Sequence, residues 1–290
     1  MRALALAAPA LAAVVGCAFA TEALAWGEDG HSIVAEIAQR RLDDNARSAI
    51  ANILRQASPT LAHASLASFA SWADDYRATH AETANWHFVD IPLQANAYDP
   101  ARDCKPDAAN GDCIIAELER IKSDVRCKTG EEQLNALKFA VHFVGDVQQP
   151  LHTVLEEQGG NEIFVKIQMR GLVCTGSCAP TTDFANFHAV WDVVLIQKTV
   201  FAWGSYVERL ENGWLKSPDA AGAEGGTPVD WAQEAHKAAQ VVWAAKPANN
   251  ILTDIYYRAV LPVLDRQLAV GGLRLARFLN EAFASQTCPR

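Results

Sequence analysis

The sequence is short of positive charge. Its 290 residues carry 25 Lys and Arg against 34 Asp and Glu, a formal net charge of −9, so a basic surface that reads nucleic-acid phosphates is not expected. If the chain acts on a polyanion, something other than lysine must attract it, and bound metal ions do that locally. Beyond the N-terminal region no apolar run is long enough to span a bilayer. No CxxC pair occurs, which argues against a cysteine zinc site. Internal repeats and low-complexity tracts are missing too. Alternation of polar and apolar residues is confined to Glu162–Gln168.

What is present begins with a leader-like segment. Arg2 gives a short basic start, Ala3 to Ala20 is apolar and alanine-rich, and Ala23-x-Ala25 fits a signal-peptidase site. Residues 1–25 are therefore expected to be removed, leaving 26–290 as one domain. The competing readings are a membrane anchor and a lipid-attachment box at Val14-Val15-Gly16-Cys17. Without Cys17 six cysteines remain, Cys104, Cys113, Cys127, Cys174, Cys178 and Cys288. An even number in an exported chain suggests disulfides. The local pairs Cys104–Cys113 and Cys174–Cys178 are the ones expected. The protein released is periplasmic or secreted. Arg2 and Glu22 cancel, so its charge is unchanged.

Half of the residues are hydrophobic, enough for a substantial core. Apolar spacing predicts helices over Ser32–Arg41, Asn110–Val125, Glu131–Gln148, Asp230–Ala244 and Ile251–Phe283. Pro150 is expected to stop the middle one. Glu162–Gln168 and a return stroke would form a small hairpin, and Ser217–Pro228 reads as a loop. The fold class expected is all-α, a single mostly helical domain with a minor β-hairpin.

Two histidine–aspartate pairs dominate the chemistry. His142 and Asp146 are four apart in HFVGD, and His188 and Asp192 are four apart in HAVWD. That spacing puts both members of a pair on one helical face. Such a pair is half of a zinc site. One pair alone would pass as a hydrogen bond or a solvated face. Two, both set among apolar residues, need a compensating partner, and a divalent cation is the most effective one. His152, His87 in NWHFVD, Asp74 in SWADDYR and His31 join them. His63, His80 and His236 stand in polar or alanine-rich surroundings and read as surface residues. Five histidines and three aspartates are too many for one tetrahedral zinc and suit two or three ions.

Cleavage after Ala25 would expose the amine of Trp26. Together with the Trp26 carbonyl it closes a five-membered chelate ring on a metal. An α-amino group has a pKa of about 8, so a metal displaces its proton easily. His31 would return to the same ion, with Gly27 and Gly30 permitting the tight turn.

The sequence resembles the zinc-dependent type I nucleases: the fungal single-strand-specific nucleases, the plant bifunctional nucleases and their bacterial relatives. These share a fold with the bacterial zinc phospholipases C. The matching motifs are WGxxGH at Trp26–His31, WADxxR at Trp72–Arg77, HFVD at His87–Asp90, HFVGDxxQPLH at His142–His152, GGN at Gly159–Asn161 and NxHxVWD at Asn186–Asp192. They follow the family's order, and Pro262–Asn280 resembles its last helix. The stretch Gln168–Thr182, with Cys174 and Cys178, does not fit the pattern.

The resemblance implies three zinc ions. Asp74, His87, His142 and Asp146 would hold the first. His152, His188 and Asp192 would hold the second. The Trp26 amine and carbonyl, His31 and a bridging Asp146 would hold the third. It implies hydrolysis of single-stranded DNA and RNA to 5′-phosphorylated products, with 3′-nucleotidase activity. No obligate protein partner is inferred from the sequence, and a monomer is expected. Asp74 would orient or deprotonate the attacking water and Arg77 would pair with phosphate; a surface ion pair of Arg77 with Asp75 or Glu82 is the plain alternative. Phe88 would stack on a base and Asp90 would bond its edge, unless Phe88 belongs to the core, and Asn161 would help shape the base pocket. Trp72, Trp86 and Trp191 are expected in the core. A phospholipase C on the same fold and a non-catalytic zinc protein are the competing functions. HFVD favours the nuclease over the lipase.

Overall fold

The computed structural model describes residues 26–61, 63–178, 182–284 and 288. The leader reading, which concerns residues 1–25, lies outside them. Helices α1 (Glu28–Gln39), α2 (Asp44–Ala57) and α3 (Trp72–Arg77) precede a short α4 (Pro100–Asp103). A helical hairpin follows, α5 (Ile114–Cys127) and α6 (Gly130–Asp146). Next come two short turns, α7 (Glu157–Gly160) and α8 (Phe187–Ala189), then α9 (Leu195–Thr199), α10 (Trp203–Asn212), α11 (Pro228–Ala245) and α12 (Asp254–Ala284). The mostly helical class expected from the sequence is what the structure has.

The predicted hairpin is present, with a third strand added. β1 (Phe164–Gln168) pairs antiparallel with β2 (Asp183–Asn186) and parallel with β3 (Ile251–Thr253). Thus Ile251–Thr253, expected to open the last helix, is a strand. Asn250 precedes it with φ 55° and its carbonyl accepts from the Lys166 amide at 2.8 Å, which draws the chain onto the sheet edge. Helices α2 and α10 were not anticipated. Asp43 caps α2, its side chain accepting from the Ala46 amide at 2.8 Å. This cap replaces a missing hydrogen bond at the helix start. The expected loop at 217–228 ends in a reciprocal cap, where Thr227 and Asp230 bond each other's backbone ahead of α11.

α1 lies against α12 at the centre. A Cβ on Gly272 of α12 would meet Ile37 Cγ2 at 2.3 Å, so only glycine allows that approach. The bulk of the apolar core surrounds this pair and includes Trp191. Trp72 and Trp86 are half-buried and pack on its edge around Phe139. Disulfides join Cys104–Cys113 and Cys174–Cys178, as the local spacing suggested, and Cys127–Cys288. Among the described residues no helix is long and apolar enough to cross a membrane.

Candidate metal centre and active site

α6 stops at Asp146, before the Pro150 stop signal. Gln149 must be extended because a proline follows it, and Pro150–Thr153 forms a 3-10 turn. Breaking the helix there brings His152 back beside Asp146, with His152 Nδ1 3.7 Å from Asp146 Oδ1. The second pair sits on a different helix type from the one expected. His188 is in α8, but Asp192 lies in a π-helical turn, Val190–Val194, and their side chains still meet at 3.5 Å. Such wide turns often mark functional sites.

All eight predicted side-chain ligands converge. Asp146, fully buried, stands at the middle: its oxygens are 3.0 Å from His142 Nε2, 3.1 Å from His87 Nδ1 and 3.3 Å from His31 Nε2. Asp74 Oδ1 lies 3.5 Å from both His87 Nδ1 and His142 Nε2. Among the described residues, three groups have the donor types and spacing of a metal site: His31, His142 and Asp146; Asp74, His87 and His142; His152, His188 and Asp192. The last is the second set inferred from the family pattern. In the other two His142 is shared.

Backbone carbonyls orient the rings. His142 Nδ1–H donates to Ala70 O at 2.8 Å, His188 Nδ1–H to Gly159 O at 2.8 Å and His152 Nδ1–H to His87 O at 3.0 Å. Each bond fixes the tautomer that leaves Nε2 as a lone-pair donor. The Gly159 carbonyl comes from a left-handed turn at 157–160, where φ is 49°, 52°, 64° and 86°. A Cβ on Gly159 would sit 2.5 Å from Leu151 O, so glycine is required there.

The electrostatics fit cation binding. Burial, aided by neighbouring histidines, pushes His152 down to about 3. Burial also pushes His188 down to about 4, with the Arg77 charge contributing. His31 and His87 are lowered by burial as well. These rings are therefore neutral, the form that ligates. Burial alone would lower His142, but Asp146 and Asp74 hold it high; burial alone would raise Asp146, but His142 and His152 hold it well below the usual carboxylate range. Asp192 is raised by burial and by the charges of Asp146 and Asp74. Several buried atoms have no properly aligned hydrogen bond: both His31 nitrogens, His87 Nε2, Asp74 Oδ1 and Asp146 Oδ1. Unpaired buried groups of this kind are costly, and together they form the donor set of divalent cations.

Trp26 is buried, its indole N–H donating to Gly145 O at 2.9 Å, while the Gly27 amide donates to Asp192 O at 3.0 Å. The N-terminal segment thus joins the backbone beside Asp146 to that of Asp192. The glycines serve space more than turn freedom. A Cβ on Gly27 would meet Val193 Cγ2 at 2.8 Å, and one on Gly30 would meet Trp26 Cβ at 2.9 Å.

Phe88 is half-buried and does not pack on the core cluster. It is held beside the site because the Val89 amide donates to His152 O at 2.9 Å. Asp90 is pushed up to about 6 by burial and by the nearby Asp103. Asn161 has a buried carbonyl oxygen with no partner among the described residues, its amide donating to Gln158 O. Arg77 is half-buried and forms no ion pair among the described residues, neither with Asp75 nor with Glu82.

Two residues escaped the sequence reading. Gln149, in the QPLH motif, accepts from the Leu151 amide and therefore turns its NH2 to Asp192 Oδ1 at 2.7 Å. His236, taken for a surface residue, is buried, because α11 packs it on the 150–153 turn, where Nδ1–H donates to Thr153 O at 2.7 Å. Its alanine-rich surroundings gave no sign of this; Gln149 at least stood inside a motif. His63 is exposed as expected, and His80 is half-buried against Tyr76. Of the unplaced stretch at 168–182, Leu172 and Val173 dock by their amides on Lys198 O.

The S1/P1 nuclease family model matches residues 26–284. Nuclease P1 of Penicillium citrinum is 31% identical over 290 residues, covering 90% of this chain and 99% of that protein. Nuclease S1 of Aspergillus oryzae is 31% identical over 281 residues (88% and 91%), and endonuclease 2 of Arabidopsis thaliana 29% over 290 (89% and 90%). With a centre of buried histidines and aspartates and a match along nearly its whole described length, the chain belongs to the S1/P1 nuclease family.

Proposed function

We propose that the protein is an exported, zinc-dependent endonuclease for single-stranded DNA and RNA that leaves 5′-phosphates and also removes 3′-phosphates from nucleotides. The observation that carries this is the convergence of five imidazoles, four of them pushed toward the neutral form by burial, and three carboxylates, with orphaned atoms, in a member of a nuclease family. The three disulfides favour an oxidising compartment. A family match that starts at Trp26 supports removal of the leader.

Asp74, His87, His142 and Asp146 would hold one zinc, His152, His188 and Asp192 a second, and His31, Asp146 and the Trp26 amine and carbonyl a third. Zinc supplies Lewis acidity toward phosphoryl oxygens and brings the pKa of water to about 7. Asp74 is the most accessible of the three carboxylates, with its side chain 10% exposed against 0% and 2% for Asp146 and Asp192. Its pKa is lowered, His142 outweighing burial, so it is ionised and able to align a water and accept its proton. The water oxygen bonds to phosphorus, the bond to the 3′-oxygen breaks, and that oxygen takes up a proton. Arg77, which forms no ion pair among the described residues, would hold phosphate oxygens. Phe88 offers a stacking face to an unpaired base, which gives the single-strand preference.

The direct test is hydrolysis of denatured against duplex DNA. Chelation should abolish cleavage of the single strand and zinc should restore it. Full activity in the chelated protein would end the proposal.

Asp90 supplies a second test. Above about pH 6 it is a carboxylate and accepts from the N1–H and N2–H donors of guanine. Below, it is a neutral acid with one donor and one acceptor, which matches adenine. The ratio of kcat/KM for guanine-bearing over adenine-bearing dinucleotides should rise about tenfold between pH 5 and pH 7, the scale of one bidentate contact. Asp90→Asn should remove the step; a ratio independent of pH in the unaltered protein would refute the role. Using a ratio cancels any pH effect on the metal centre.

A further inference from the structure

Two phenylalanines stand in solvent on the outer face of the sheet, Phe164 at 77% and Phe184 at 75% exposure. The inner face is ordinary: Val165, Ile167 and Leu252 are buried. On the outer face the register sets Lys166 opposite Phe184 and Phe164 opposite Asn186. The two rings are thus diagonal neighbours flanking Lys166, and diagonal pairs on one sheet face are within reach of aromatic side chains. On the other side of Lys166 lies Ile251 of β3. Lys166 forms no ion pair among the described residues. A second cation borders this edge, Lys246, bonded to Asn250 Oδ1 at 2.6 Å. Two acids of the hairpin have other partners: Glu162 accepts from Gln158 at 2.7 Å, and Asp183 lies 3.9 Å from Lys198.

Exposed aromatics grouped in this way mark an interaction surface. Rings spaced on a pleated face with a cation between them suit unpaired bases linked by phosphates. A purely apolar partner would leave Lys166 without a role. The surface is also joined to the candidate active site by a short stretch of chain. β2 runs directly into α8, and His188 follows Phe184 by only four positions, roughly 14 Å of chain at most. Asn186 caps the turn that carries His188, its side chain accepting from the Ala189 amide at 2.7 Å.

Building on the nuclease reading, we infer that Phe164, Lys166 and Phe184 form an accessory subsite that stacks unpaired bases of the substrate strand away from the bond being cut. It extends the protein's grip along the strand and is indifferent to sequence.

The test is binding of phosphorodithioate-linked oligo-dT, which resists hydrolysis, to the mature metal-loaded protein, read by fluorescence anisotropy. Phe164→Ala with Phe184→Ala should raise Kd for a long oligomer about tenfold or more, and Lys166→Gln should weaken it further and flatten its salt dependence. Kd for thymidine monophosphate should hold, as should Tm. An unchanged Kd for the oligomer overturns the inference, as does an equal loss for the monophosphate. A dimer in light scattering that the phenylalanine changes dissolve assigns the surface to a second copy and also overturns it. Ring-dependent binding by a protein that cleaves no strand would retain the subsite and reject the catalytic reading instead.

Discussion

Asp146→Asn should reduce hydrolysis of single-stranded DNA by more than about a hundredfold, beyond the loss typical of a residue that merely supports a ligand. The carboxylate touches four histidines, from 3.0 Å at His142 to 3.7 Å at His152, and is the proposed bridge between two ions. Asparagine keeps the shape and one oxygen but removes the charge, so the fold should persist while metal content falls. Zinc measured by elemental analysis and Tm measured with and without zinc separate these effects. The zinc-dependent rise in Tm should shrink. Asp75→Asn, an exposed neighbour of Asp74, should alter neither. If Asp146→Asn protein carries its full zinc and cuts at the unaltered rate, the centre does not work as proposed.

One glycine inserted ahead of Trp26 in the mature protein should lower zinc content by one ion and the rate by at least about tenfold. The amine becomes an amide, whose nitrogen has no lone pair to give, whereas a terminal amine with a pKa of about 8 gives its own readily. The fold should tolerate the insertion. Trp26 is held through its indole on Gly145 O, and Gly27 through its amide on Asp192 O, and neither bond uses the terminus. The change therefore isolates ligation from folding. The same zinc content and rate as the unextended chain would dismiss the terminal amine as a ligand.

The candidate site was legible in the sequence to an unusual degree because four of its donor residues come in two local pairs. Histidine and aspartate four apart within apolar helices announce themselves, even though one pair proved to lie on a π turn. Phe88 and Asp90 were marked by their place beside His87. Asp103, which helps raise Asp90, was not, since thirteen residues and a change of direction separate them. His236 and the second face of Gln149 were hidden for the same reason: their partners are set by packing. β3 was lost because three residues leading into a 31-residue helix have no periodicity of their own.

By itself, the sequence determined which donor atoms exist, which local pairs can meet, and that the chain is mostly helical. These follow from spacing and local chemistry. Only the tertiary structure decided which donors meet. His31 reaches Asp146 because α1 lies along α6, across 115 positions of chain. The tautomers depend on carbonyls of Ala70, His87 and Gly159 delivered from three other segments. Burial, which keeps His31, His87, His152 and His188 neutral and leaves donor atoms unpaired, is a property of the packed core, and no local pattern carries it.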